Sequence, residues 1–245
     1  MTAVPPSLEA AIAQALTATQ TALANGVTRL QVELAIPEIA LQAQDLARQF
    51  APLFPDLNLR VLFPDAGAAA LARRDWGETP FQVSDLGSRY TPVDAKIADT
   101  DEAYLVVAPT AVEVLTVERL CQLAGDRPVV LLIPQLEDVA IVGIGYAARQ
   151  LRDRFLSSLT TSYYLRPLEQ GAVLRVYPGL WQVYLSDETN EEGYRLIAEE
   201  PQKPLGEALE TILMAATAPS GEGLPNRNSR GLLTQLGQFL RALNQ

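Results

Sequence analysis

Four times in this chain an apolar run stops at a proline: Ile36-Pro37, Phe63-Pro64, Ala108-Pro109 and Ile133-Pro134. At least three of these junctions lead into segments with helical spacing. Proline loses nothing at a first helical position, because that N–H has no intrahelical partner anyway. The repeat therefore reads strand, short turn, helix, the grammar of a parallel or mostly parallel sheet. The run 129–133, Val-Val-Leu-Leu-Ile, is apolar throughout, as a strand covered on both faces should be. The run 29–36 alternates instead, like a half-buried strand.

The rest of the chain fits around these junctions. Ser7 is a plausible N-cap for a first helix with Leu8, Ile12, Leu16 and Leu23 on one face, stopped at Asn25-Gly26. Pro37-Glu38 opens a helix to about Phe50, and Pro64-Asp65-Ala66-Gly67 leads into a short one ending near Trp76. Strands are expected at 58–63, 81–86 and 104–108, with loop and a helical turn over 87–101. A helix follows Pro109-Thr110 and ends at Gly125-Asp126. After residue 158 the pattern changes to short strands at 161–168, 172–177, 180–185 and 193–199, whose brief links suit antiparallel hairpins. A helix at 205–216 closes the body. The expected fold is α/β, Rossmann-like and three-layered, its mostly parallel sheet extended by C-terminal antiparallel strands. Residues 1–216 form one α/β domain, 217–230 a flexible linker, and 231–245 an amphipathic helix.

Composition removes whole classes of chemistry. The chain has no histidine, which excludes Ser-His-Asp and Cys-His catalysis and histidine-ligated metals. A single cysteine, Cys121, forms no intrachain disulfide and sits in an amphipathic helical pattern, as a core residue does. A net charge of −10 argues against nucleic acid as a partner. No stretch reaches the roughly 18 residues of unbroken apolarity that a membrane span needs. Nor does the N-terminus pair a basic region with an apolar one. The expectation is a soluble, cytoplasmic protein. No cofactor or metal is expected.

Ligands of parallel sheets bind outside the carboxyl ends of the strands. The junctions deliver Glu38, Asp65, Gly67, Thr110 and Gln135 there; ordinary helix capping is the plainer role for these residues. Gly143-Ile144-Gly145-Tyr146-Ala147-Ala148 matches the dinucleotide fingerprint G-x-G-x-x-A, with Glu169 where a ribose-binding acid would stand. Strand spacing weighs against it: 133 to 139 leaves no room for a crossover between parallel strands. The simpler reading caps a helix at Asp138 and uses the glycines to lay it close on the sheet. The alternative function is thus a nucleotide- or anion-binding enzyme or sensor, with Asp65, Gly67, Gly143, Gly145 and Arg149 as ligand residues. Arg152, Arg154, Arg166 and Arg175 add anion-gripping groups, or simply paired surface charges.

Tyr163, Tyr164, Tyr177, Trp181 and Tyr184 cluster in the hairpin region, either as sheet packing or, with Arg166 and Arg175, as a partner surface. Leu232, Leu233, Leu236, Phe239, Leu240 and Leu243 make one apolar stripe flanked by Arg227, Arg230 and Arg241. That helix either docks on the body, or meets a partner or, weakly, a membrane surface. A third function class is a self-associating structural domain completed by this helix.

Three segments carry a resemblance: Gly-Ile-Gly-Tyr-Ala-Ala-Arg-Gln-Leu-Arg-Asp-Arg-Phe from 143, Tyr-Tyr-Leu-Arg-Pro-Leu from 163, and Leu-Arg-Val-Tyr-Pro-Gly-Leu-Trp from 174. Val-Leu-Phe-Pro-Asp-Ala-Gly from 61, with Trp76, fits the same pattern. Over most of 7–216 the chain resembles a conserved unknown-function domain of cyanobacteria and plastids. That domain occurs in assembly proteins of the low photosystem II accumulation type and beside a plastid adenylate kinase. The resemblance attaches no catalytic residue to these motifs, and the chain has no G-x-x-x-x-G-K-[ST] loop for a kinase. It implies a non-enzymatic auxiliary protein of photosystem assembly, probable target photosystem II, peripheral at the thylakoid membrane. The implied partners are photosystem subunits or assembly factors, met through Arg166, Arg175, Tyr177, Trp181, Leu236, Phe239 and Leu240.

Overall fold

The computed structural model describes residues 3–37, 39–136, 146–187, 189–190 and 193–217. Helix α1 (Leu8–Ala24) starts where the Ser7 hydroxyl accepts the Ala10 N–H at 3.2 Å. Its buried stripe is mostly alanine: Ala11, Ala15, Ala18 and Ala22. Such small side chains let the helix lie close on the sheet. Two buried polar contacts fix its position there. Thr19 shares a 3.0 Å hydrogen bond with Ser162, and the Tyr163 hydroxyl donates to Gln14 at 3.1 Å.

The remaining elements, in chain order, are β1 (Arg29–Leu34), α2 (Ala43–Phe50), β2 (Leu59–Phe63), α3 (Ala66–Trp76), β3 (Gln82–Asp85), β4 (Ala103–Val107), α4 (Val114–Ala124), β5 (Val129–Leu132), α5 (Tyr146–Arg154), β6 (Thr160–Leu168), β7 (Gly171–Val176), β8 (Trp181–Ser186), β9 (Tyr194–Glu200) and α6 (Gly206–Thr217). They build one nine-stranded sheet in the order β3-β2-β4-β5-β1-β6-β7-β8-β9. From β3 to β6 every pairing is parallel; from β6 to β9 every pairing is antiparallel. The Rossmann-like, three-layer α/β fold expected from the sequence is what forms.

Side chains alternate between two faces. On the first face α1, α2 and α3 cover Leu30, Val32, Val61, Leu105, Val130 and Tyr163. On the second, α4 and α5 cover Tyr104, Val106, Val129 and Leu131. Further along that face, α6 lays Leu209 over Tyr164, Val173, Trp181 and Val183. Cys121 belongs to the second-face core, and burial pushes its thiol up to about 11.

Several sequence expectations need correcting. None of the four strand-ending prolines opens an α-helix. Asp65 stands between Pro64 and α3 as the N-cap, and four residues separate Pro109 from α4. Residues 39–42 form a 3-10 turn, with the Ile39 N–H on the Ile36 carbonyl, so α2 begins later than expected. Strand β6 is not merely the start of a meander, because its other edge pairs in parallel with β1. A bulge shifts that pairing, so Thr161 lies beside Gln31 while Tyr163 lies beside Val32. Gly171, the first residue of β7, is required by the close approach of β8, since a Cβ there would come within 1.9 Å of the Tyr184 carbonyl oxygen. Of the helix expected over 139–156, residues 146–154 form α5, while Asp138 and the glycine-bearing start at 139–145 lie outside the described residues, as do 218–230 and the stripe at 231–245.

Candidate functional site

Topology singles out the carboxyl ends of the parallel strands. Strands β1 and β5 are neighbours, yet β1 runs on to α2 on the first face and β5 to α5 on the second. Strands β2 and β4 diverge in the same way, into α3 and α4. Crevices open at such divergences. Two residues at these ends are held in the left-handed region: Ala108 at φ 48° and Ile133 at φ 44°. Both precede proline, which disfavours the right-handed helical region for the residue before it. The left-handed alternative costs roughly 1–2 kcal/mol per L-residue. The two loops also brace one another, through a parallel bridge between Thr110 and Gln135 and a 2.8 Å bond from the Gln135 N–H to the Pro109 carbonyl.

Glu38 lies outside the described residues, and three described carboxylates at this edge each hold hydrogen bonds. Asp65 accepts the Gly67 and Ala68 N–H groups at 2.7 and 3.0 Å. Glu113 accepts the Thr110 N–H and hydroxyl at 2.9 and 2.7 Å. Asp85 takes the Gly87 N–H and the Lys96 ammonium, each at 2.8 Å. Burial alone would raise the Asp85 pKa, but Lys96 and the Gly87 N–H together bring it below the usual value. Beside exposed polar residues such as Asp65, Arg89 and Gln135, this edge presents large apolar side chains to solvent. Leu41 follows β1, Tyr90 follows β3, Val112 follows β4 and Tyr146 opens α5, and all four are at least 70% exposed.

A cavity of about 350 Å³ lies on the second face at the β1/β5 divergence, lined by Gln31, Glu33, Pro134, Gln135, Leu136, Leu156, Lys203 and Leu205. The Glu33 carboxylate accepts Lys203 at 2.6 Å, Gln31 at 3.2 Å and Thr161 at 3.4 Å. The Lys203 ammonium lies 4.1 Å from the Tyr164 ring centroid and 5.6 Å from that of Trp181. Burial, with Glu33 close by, pushes the Tyr164 phenol up. The result is a charge-balanced pocket in which an incoming anion would compete with Glu33 for Lys203. Sequence reading missed this group, because Glu33 and Lys203 are 170 residues apart.

The sequence-predicted ligand residues do not converge. Asp65 and Gly67 meet at the start of α3 on the first face, whereas Arg149 is exposed on α5 of the second. Gly143 and Gly145 lie outside the described residues, as do Leu236, Phe239 and Leu240. Of the aromatic and arginine set, Arg175 and Trp181 are register partners, 5.2 Å from guanidinium to ring. Trp181 is buried against Tyr164, their rings 5.1 Å apart, and Arg166 is exposed. Tyr177 packs with the first-face core and accepts a 3.5 Å bond from Asn25. The exposed rim went unseen in the sequence. Its signal was apolar residues just past strand ends, off any helical stripe.

Among the described residues no helix is long and apolar enough to cross a membrane, and no group of three or more acidic or cysteine side chains is placed to hold a metal. The model of a family described as a domain of unknown function, DUF1995, matches residues 5–211.

Proposed function

Since the chain belongs to this family of domains whose function is not established, we propose that it is a protein-binding auxiliary module. It docks a partner through the apolar rim at the carboxyl ends of its parallel strands. The process it serves is photosystem assembly, with photosystem II as the first candidate. One observation carries the docking part. Asp85 is buried with both oxygens bonded, and Asp65 and Glu113 each hold a helix start or turn through one oxygen, while Leu41, Tyr90, Val112 and Tyr146 face outward. Large exposed side chains on one rim are a common mark of a protein interface. The photosystem part rests on the motif resemblance at 143–155, 163–168 and 174–181.

Co-purification from thylakoid-bearing cells tests both parts. Photosystem subunits or assembly factors are expected with the wild-type chain, and their recovery falls with the Tyr90→Ser, Val112→Ser double variant. No photosystem subunit recovered, and unchanged photosystem levels on deletion, would sink the reading.

The cavity beside Lys203 supports a second reading: a nucleotide- or anion-binding enzyme or sensor with its site at the carboxyl ends. Calorimetry with NAD(P), ATP and sugar phosphates decides it. Binding that is lost in Lys203→Met supports this reading, and no heat at millimolar ligand removes it.

A further inference from the structure

The first face carries a long groove that shares Leu41 with the protein-binding rim and extends well beyond it. Helices α2 and α3 lie apart above the β2/β4 boundary. Between them two cavities of about 610 and 700 Å³ meet at Arg48 and Trp76. The floor is apolar: Phe63, Val107 and Ala108 at one end, Phe54 and Phe81 at the other. Trp76 joins the two halves, its ring 5.7 Å from Phe63 and 5.8 Å from Phe81. Leu41 and Leu71 stand on the walls, 82% and 42% exposed. The lining holds four carboxylates, Asp45, Asp56, Asp75 and Glu78, against Arg48 and the Arg74 that pairs with Asp75 at 2.7 Å, which leaves the rim net acidic.

An apolar trough with an acidic rim suits an amphipathic helix with basic flanks. The chain contains such a sequence. Leu232, Leu236, Phe239, Leu240 and Leu243 fall on one helical stripe, Arg230 and Arg241 flank it, and 223–245 holds no acidic residue. Thirteen residues of helix span about 20 Å. A groove running beside the five residues of β2 and their flanking loops is also about 20 Å long.

The two are poorly placed to meet within one chain. Helix α6 ends at Thr217 on the second face, over β6 to β8. At about 4.8 Å per strand the groove lies roughly 22 Å to the side. It is also two layers up, so the separation approaches about 30 Å. A coil of the 13 intervening residues spans about 20 Å root-mean-square. We infer that the α2–α3 groove receives residues 231–245 of a second copy of this chain, bound as an amphipathic helix.

Sedimentation of the full chain over a concentration series tests this. The wild type pairs in the micromolar range and loosens with salt. Phe239→Asp in the segment and Leu71→Asp in the groove each weaken pairing by at least about tenfold. Phe239 lies outside the residues matched by the family model and is tested independently of the groove, so its variant still reports if Leu71→Asp misfolds. Oxidation of a Leu71→Cys, Leu236→Cys double variant should give covalent dimers; the native Cys121 is buried. A chain that stays monomeric at about 100 µM, pairing indifferent to both aspartates, or a cross-link formed only within one chain would each overturn the inference.

Discussion

The two ends of the parallel strands are built to opposite rules. At the amino ends, arginines tie loops to backbone carbonyls. Arg29 donates to the carbonyls of Thr28, Arg127 and Cys121 at 2.7–2.9 Å, and also to that of Gly125. Arg127 donates to Leu123, Ala124 and Asp101, which satisfies the last carbonyls of α4. Arg60 grips Asp101 through two bonds of 2.6 and 2.9 Å, and Asp101 also takes the Ala98 N–H. At the carboxyl ends the loops carry strained residues and outward apolar side chains. One edge puts its polar groups into holding the fold. The other leaves large apolar side chains exposed, as the docking role proposed above requires.

If the amino edge is the lock, breaking it should have the largest effect. Asp101→Ala removes one partner of a nearly buried pair, a change that costs about 3 kcal/mol or more. For a chain of this size that lowers Tm by roughly 10 °C. A shift under about 2 °C would show that the arginine ties are decorative.

The carboxyl edge should respond in the other sense. Ala108→Gly relieves a left-handed alanine and should stabilise by about 1 kcal/mol, raising Tm by roughly 2–4 °C. An alanine-to-glycine change that destabilises would mean the strain is not there.

Acid unfolding sharpens the contrast within the carboxyl edge. The folded Asp85 pKa lies below its unfolded value, so Asp85 contributes stability above about pH 4. That contribution is lost as pH falls through the folded value. Lys96→Met removes the ammonium's hydrogen bond and charge and leaves burial opposed only by backbone N–H contacts such as that of Gly87, so the folded pKa rises. The acid limb of the urea midpoint should therefore move to higher pH, and an unmoved limb would separate Asp85 from Lys96. Smallest of all, Val112→Ser should change stability by no more than about 0.5 kcal/mol. A larger loss would place Val112 in the fold rather than on a docking rim.

Much of the fold could be read in one dimension. The prolines after apolar runs, the alternation of 29–36 and the apolar 129–133 together specify a parallel sheet. Ser7 and the short links after 168 gave a helix start and the meander. The strand order could not be read, because β1 sits between β5 and β6 through contacts about 100 and 130 residues distant. The bulge at Thr161 shows why the site was harder still. One extra residue turns Thr161 toward Gln31 and Glu33, and no periodicity announces it. For Asp65, by contrast, capping was the plainer reading of a carboxylate after a strand, and its two N–H contacts are those of a cap.

Strand β9 ends the sheet, and the way it ends has a consequence. Its open side carries unpaired backbone groups, the usual template for one sheet to grow onto another. Along it Arg195 and Glu199 are exposed and Glu200 is half-buried, on a protein of net charge −10. In an antiparallel approach centred on Ile197, Arg195 of one copy would face Glu199 of the other, whereas other registers bring glutamate against glutamate. The charges of this edge thus restrict sheet-to-sheet growth to a narrow choice of register.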